Sequence, residues 1–277
     1  IAKIVLLMNG YDVVALQFIH LVFSLMQMIY ISLYIRRHYK WLDLRREPNF
    51  PALAQSKNVL VHQVSGLIFN MLLLTYFQGL KAVSVYSVYQ LLFGIVDTMI
   101  SNFNGMTFVL GQTFNRDKKR YMKLHDVFEL YYITLTFCLF CIANLFIIPF
   151  VKLYTSGVED VNYIDSLLPY LFIGAFLISR GRTACMFSVN YAGHFRQTQW
   201  HAVVEAVLNI TVSVIGLWAW GIYGVLLGTI AALLFRTNAT ILYASKHVLE
   251  RSSWITYRRW LLNLALFCGV TAVGKWL

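Results

Sequence analysis

Arg116-Asp-Lys-Lys-Arg-Tyr-Met-Lys123 runs straight into Leu124–Leu153, whose centre, Ile133-Thr-Leu-Thr-Phe-Cys-Leu-Phe-Cys-Ile-Ala-Asn-Leu-Phe-Ile-Ile148, carries no charge. About 20 mostly apolar residues, wound as a helix, cross about 30 Å of hydrocarbon. A block of cations against such a run is the signature of a helix end retained on the cytoplasmic side of a membrane. The pattern recurs. Arg36, Arg37, Lys40, Arg45 and Arg46 fill one gap between apolar runs, and Lys246, Arg251, Arg258 and Arg259 fill another. An intervening gap holds Glu159, Asp160 and Asp165 and no Lys or Arg.

Composition agrees. The chain is 59% apolar and 13% charged, against about 45–50% and about 25% in ordinary globular domains. Aromatic residues make up 16%, which suits interfacial belts and tight helix packing. The net charge of +11 would suggest nucleic acid in a soluble protein. Here the cations sit in loops on one side, so the bilayer, and not nucleic acid, is the partner they imply.

Segments able to span are Tyr11–Ile35, Asn58–Gln78, Ala82–Gln112, Leu124–Leu153, Tyr163–Asn190, Gln199–Trp220 and Ile222–Lys246, with Tyr257–Leu277 as the start of an eighth. The expected fold is therefore an all-α, polytopic bundle of seven to eight spanning helices. Phe77-Gln-Gly-Leu-Lys81, the stretch around Gly157 and Trp220-Gly-Ile222 read as turns, and links this short make neighbours antiparallel. Gly94 and Gly105 allow the long third segment to bend. Threading the spans in order puts every basic gap on one side and the acidic gap on the other. Arg36 to Lys57, with Pro48 and Pro51, reads as the divide between two helical lobes. The apolar runs at Ile1 and Leu277 read as cut ends of a longer transporter, and Ile1–Met8 lacks the features of a signal peptide.

Most local motifs dissolve on inspection. Gly269-Val-Thr-Ala-Val-Gly-Lys275 resembles a phosphate loop, but Trp276 stands where a magnesium-binding hydroxyl is needed and no strand precedes it. Asn209-Ile-Thr211 and Asn238-Ala-Thr240 fit the glycosylation pattern yet lie mid-helix. Cys138 and Cys141 have redox spacing, but neither a second pair nor a histidine cluster accompanies them; they and Cys185 and Cys268 read as apolar filler, and no metal or cofactor is expected. Gly224-x3-Gly228 reads as a close helix contact. No pattern for catalysis is present, and the chain is expected not to be an enzyme.

Intramembrane charges carry more, because each costs about 2.5–3.5 kcal/mol at the bilayer centre. Arg180 and Arg236 lie at one depth from the basic end, Glu205 lies close to that depth, and Asp97 sits mid-span. They read either as helix-locking ion pairs or as a substrate site. Arg182 is expected to snorkel to the interface. Tyr86, Gln90, Phe93 and Asp97 share one helix face, a stripe that suits either a sugar-contacting wall or a helix interface. His62, Asp97 and Glu205 are the candidates for proton or ion coupling.

Glu205-Ala-Val-Leu-Asn-Ile-Thr-Val-Ser213 followed by Gly221-Ile-Tyr-Gly-Val-Leu-Leu-Gly-Thr229 resembles the paired late helices of polysaccharide export flippases. These are the O-antigen (Wzx-like) members of the multidrug/oligosaccharidyl-lipid/polysaccharide exporter superfamily. Val61-His-Gln-Val-Ser-Gly-Leu-Ile-Phe-Asn70 with Leu80-Lys-Ala-Val-Ser-Val-Tyr-Ser-Val-Tyr89 resembles the opening of that family's second lobe. The resemblance implies a division into the end of a first lobe with its cytoplasmic linker (1–50), a six-helix second lobe (51–250) and the start of a further helix pair (251–277). It implies flipping of an undecaprenyl-diphosphate-linked oligosaccharide across a bacterial inner membrane by alternating access. Arg180, Arg236, Glu205, Asp97, Gln90 and Tyr86 would then contact substrate, and a glycan polymerase and chain-length proteins would be further partners. Two alternatives stay open: a cation-coupled drug or metabolite exporter of the same superfamily, and a membrane-bound glycan polymerase or acyltransferase.

Overall fold

Breaks in the helical chain fall at Gly79, Gly105, Asp117, Arg182 and Gly221, and further links follow Tyr154, Tyr191 and His247. The computed structural model describes residues 13–39, 67–157 and 161–276. The chain divides into two units, Ile1–Leu53 and Ala54–Leu277. His62, Gln63, Lys40, Arg45, Arg46, Glu159 and Asp160 lie outside the described residues.

In the first unit, helix α1 (Val13–His38) carries Arg36, Arg37 and His38 in its last turn, where cations offset the negative end of the helix dipole. In the second, α2 (Leu67–Asn102) passes through a 3-10 turn (Phe103–Met106) into α3 (Thr107–Arg116). There follow α4 (Lys118–Tyr154), α5 (Leu168–Gly181), α6 (Thr183–Tyr191), α7 (Phe195–Trp220), α8 (Ile222–His247) and α9 (Trp254–Trp276). There is no strand among the described residues. Among the described residues, four stretches are long and apolar enough to cross a membrane: Leu73–Arg116, Lys118–Tyr154, Phe195–Trp220 and Ile222–His247.

The breaks have local causes. Gly79 takes a φ of 78°, open to glycine at no steric cost, and it interrupts α2 at the turn expected there. The expected bend of the third segment falls at Gly105, inside the 3-10 turn. Asp117 is extended and its carboxylate accepts from the Arg120 N–H at 3.0 Å, capping α4. Tyr163–Asn190, read as one span, is divided at Arg182 into helices of 14 and 9 residues.

Polar contacts sort the helix ends as the charge pattern required. At the basic end the Tyr191 hydroxyl donates to the Thr107 carbonyl at 2.6 Å, Tyr121 bonds Ser188 at 2.7 Å, and Lys118 meets Glu250 at 2.5 Å. At the other end Tyr89 donates to the Tyr163 carbonyl at 3.0 Å, and Tyr223 donates to the Asp165 carboxylate. Asp165 also accepts from the N–H groups of Leu167 and Leu168 at 2.7 and 2.8 Å, so it starts α5 as well as closing that end.

Between the two ends lies an aromatic core. The Phe172 ring lies 4.9 Å from Tyr86 and 6.1 Å from Phe93, and Phe93 and Phe140 have no exposed surface. Gly221 (φ 57°) turns α7 into α8. The two helices then run in backbone contact: a Cβ on Gly216 would stand 2.7 Å from the Gly224 carbonyl oxygen, and one on Gly228 would strike Ser213. The expected close contact at Gly224 and Gly228 is therefore present within one hairpin.

A buried ion network fixes α9. Glu129 on α4 has no exposed surface. It accepts from Arg251 at 2.7 and 2.8 Å, Arg259 at 2.6 Å and Thr256 at 2.8 Å. Arg251 and Arg259 also reach Asp126, at 2.9 and 2.7 Å. Burial alone would lower the pKa of the Arg251 guanidinium, but Glu129 beside it outweighs that and the net shift is upward. Removing one partner of such a network strands the rest, at about 3–5 kcal/mol, whereas an exposed pair is worth about 0–1 kcal/mol. Glu129→Ala is thus expected to lower the Tm of the detergent-solubilised protein far more than Lys118→Ala. Equal melting of the two variants would refute the network's role.

Candidate functional site

Position i and position i+4 or i+7 of a helix look the same way, so Tyr86, Gln90 and Asp97 on α2 form one stripe. They line a cavity of about 270 Å³ together with Arg180 and Arg182 of α5 and its end, and Glu205 and Asn209 of α7. Phe172, Leu226 and Leu233 supply apolar wall.

Arg180 and Arg182 are two residues apart, which on an unbroken helix would turn them about 200° from each other. The interruption between α5 and α6 accounts for both reaching the same cavity. Gly181 lies at that interruption against Trp260 of α9: a Cβ there would stand 2.7 Å from Nε1 of the indole. Helix α9 thus sits behind the cavity's broken element.

The charges form two couples. Arg180 forks onto Asp97, its Nε and Nη2 each donating to one carboxylate oxygen, and its Nη1 donates to the Tyr132 hydroxyl at 3.4 Å. Glu205 stands between two arginines at longer range: Arg182 at 3.4 and 3.5 Å on one oxygen, Arg236 at 3.7 Å on the other. Charge-assisted bonds normally close to about 2.7–2.9 Å, so Arg180 is fully engaged and Arg182 is held loosely. Three arginines against two carboxylates leave this group one positive charge in excess. Asn209 accepts from Ser213 at 3.1 Å and from Thr229 at 3.3 Å, which fixes its carboxamide at the cavity edge.

Of the residues singled out in the sequence, the fold brings Arg180, Asp97, Glu205, Gln90 and Tyr86 to one cavity. Arg236 is corrected in position: it is buried behind Glu205 on α8 and does not belong to the wall. Phe93 turns into the aromatic core instead of the cavity. Arg182 is corrected in role: its side chain, 14% exposed, pairs with Glu205 and does not snorkel. The reason is the break in the helix, which no Pro or Gly-Pro pair announces. Asp97 also takes Arg180 alone, so Glu205 meets Arg236 without Arg180. His62 lies outside the described residues.

The chain matches no protein-family model, no curated protein and no solved structure.

Glu205→Ala would remove the carboxylate that Arg182 and Arg236 share, at a cost of about 3–5 kcal/mol. Arg182→Met keeps the Glu205–Arg236 couple and most of the apolar stem. The expected order of Tm in detergent is wild type and Arg182→Met close together, with Glu205→Ala well below. A Glu205→Ala protein that melts with Arg182→Met would contradict the shared-carboxylate geometry.

Proposed function

We propose that this chain is the arginine-bearing lobe of a flippase for undecaprenyl-diphosphate-linked oligosaccharides in a bacterial inner membrane. In this reading the seven to eight spans comprise the end of a first lobe, a six-helix second lobe and the start of a further helix pair of a two-lobed exporter. The basic helix ends face the cytoplasm, and the two lobes rock about a central site. The observation that carries the reading is a cavity wall bearing two arginines, Arg180 and Arg182, inside an apolar bundle, with Arg236 behind Glu205 giving the ion group as a whole one positive charge in excess. A diphosphate must leave water to cross hydrocarbon, and guanidinium groups are the side chains best matched to its oxygens. Arg182 is the group placed to receive it, because its present contacts are long and can be exchanged for shorter ones. Arg180 holds the wall, and Gln90 and Asn209 offer amide groups to sugar hydroxyls at its edge.

The cavity's size supports a headgroup site more than a whole-substrate site. At about 270 Å³ it lies below the range of about 300–1,000 Å³ typical of small-molecule sites, so a diphosphate and its first sugar are the part that fits. The sugars beyond would face the opposite lobe. A cation-coupled exporter is less well supported, because it needs a carboxylate open to an ion and both Asp97 and Glu205 are taken by arginines.

In cells lacking the gene, lipid-linked repeat units are expected to accumulate on the inner leaflet. Supplying the gene with Arg182→Met should leave most of that accumulation in place, and Arg182→Lys should relieve it in part, since Lys binds phosphate without the bidentate fork. Normal surface glycan in cells without the gene would overturn the reading.

A further inference from the structure

A second volume adjoins the arginine-lined cavity. A groove of about 540 Å³ lies between the 3-10 turn at Phe103–Met106, α3 and α4. Met106, Val109, Val127 and Tyr131 form its lips, and Phe128 and Tyr132 form part of its floor. The lips are 53 to 70% exposed. No charged residue lines it.

Groove and cavity share a wall. Tyr132 lines the groove, and its hydroxyl accepts from Arg180, which lines the cavity and is forked onto Asp97. The chain Asp97–Arg180–Tyr132 is thus a partition joining α2, α5 and α4. On α2, Asp97 stands six residues, or about 9 Å of helix, before Phe103, where the groove begins. An apolar channel that opens beside arginines is complementary to an amphiphile with one anionic end.

We propose, resting on the headgroup reading above, that this groove holds the hydrocarbon chain of an anionic polyprenyl lipid whose phosphate is held by the cavity arginines. Inside a bilayer an apolar chain gains almost nothing by leaving lipid for protein, because lipid tails are as apolar as Leu. Occupancy therefore comes from the tether: a phosphate held by Arg182 raises the local concentration of its own chain at the groove. Specific occupancy must then depend on the charged head, which separates this lipid from the ordinary lipid that wets every apolar face.

The test uses the full protein in lipid nanodiscs and a polyprenyl phosphate carrying a photoreactive diazirine in its chain. Irradiation is expected to label peptides within 103–135. Excess unlabelled polyprenyl phosphate should remove that label, and neutral polyprenol at equal concentration should not. Val127→Trp, which fills the groove from a position 53% exposed, should abolish the protectable label while leaving inorganic diphosphate binding intact. Leu262→Trp on α9, equally tolerant of bulk at 60% exposure, should change neither. Arg182→Met should abolish both. Labelling of 103–135 that polyprenyl phosphate does not displace identifies annular lipid only and overturns the proposal. Protectable labelling of 103–135 that survives Val127→Trp but is lost in Arg182→Met overturns the groove and leaves the headgroup reading standing. Protectable labelling that survives Arg182→Met overturns both.

Discussion

Everything in the second unit is arranged around the cost of keeping carboxylates and guanidinium groups inside an apolar bundle. Asp97 and Arg180 meet that cost together, with both carboxylate oxygens taken by one guanidinium fork. Left alone, either group would carry a desolvation penalty of several kcal/mol. Their pairing therefore fixes the register of α2 against α5, and the Tyr132 hydroxyl extends the tie to α4. The cavity exists because a second couple, at Glu205, is met from another side. Two separate charge centres hold the walls apart where apolar side chains alone would close them.

The two couples are unequal, and the inequality is what makes the site usable. A tight fork is a structural strut; a carboxylate shared between arginines at 3.4 to 3.7 Å is a placeholder. On the proposed function, an incoming phosphate would compete with the placeholder far more easily than with the strut. The Glu129 network shows the opposite extreme. There the carboxylate is saturated by two arginines and a hydroxyl at 2.6 to 2.8 Å, and its role is to dock α9. Helix α9 in turn buttresses Gly181 through Trp260, so a structural network at the basic end supports the break that aims Arg182.

Charge periodicity made the bundle legible: the loops at 116–123, 191–196 and 247–252 do gather at one end. The turns at Gly79 and Gly221, the bend at Gly105 and the Gly224–Gly228 contact were equally open to reading, because each follows from what glycine allows. The identity of the partners was not. Equal depth suggested Arg180 with Arg236, yet depth along a helix says nothing about which way a side chain turns. The interruption at Arg182 re-aims that residue with Gly181 as its one local sequence signal. The positive-inside rule accounts for Arg251 and Arg259 as loop cations and so carries no sign of their burial against Glu129. The one clue was Glu129 itself, an acid within an apolar run.

The most direct test of the account is a charge exchange at its central strut. Asp97→Arg and Arg180→Asp, each made alone, place two like charges in contact within the bundle and should lower the Tm steeply and abolish substrate binding. Made together they restore one fork in the reverse sense, and the double variant should recover most of the Tm. Because Tyr132 and the cavity then face a carboxylate where a guanidinium stood, binding of an anionic headgroup should not recover with it. Recovery of neither would show that the two side chains do not meet. Recovery of both would show that the sign of charge at this wall is irrelevant to what the cavity holds, and would contradict the account.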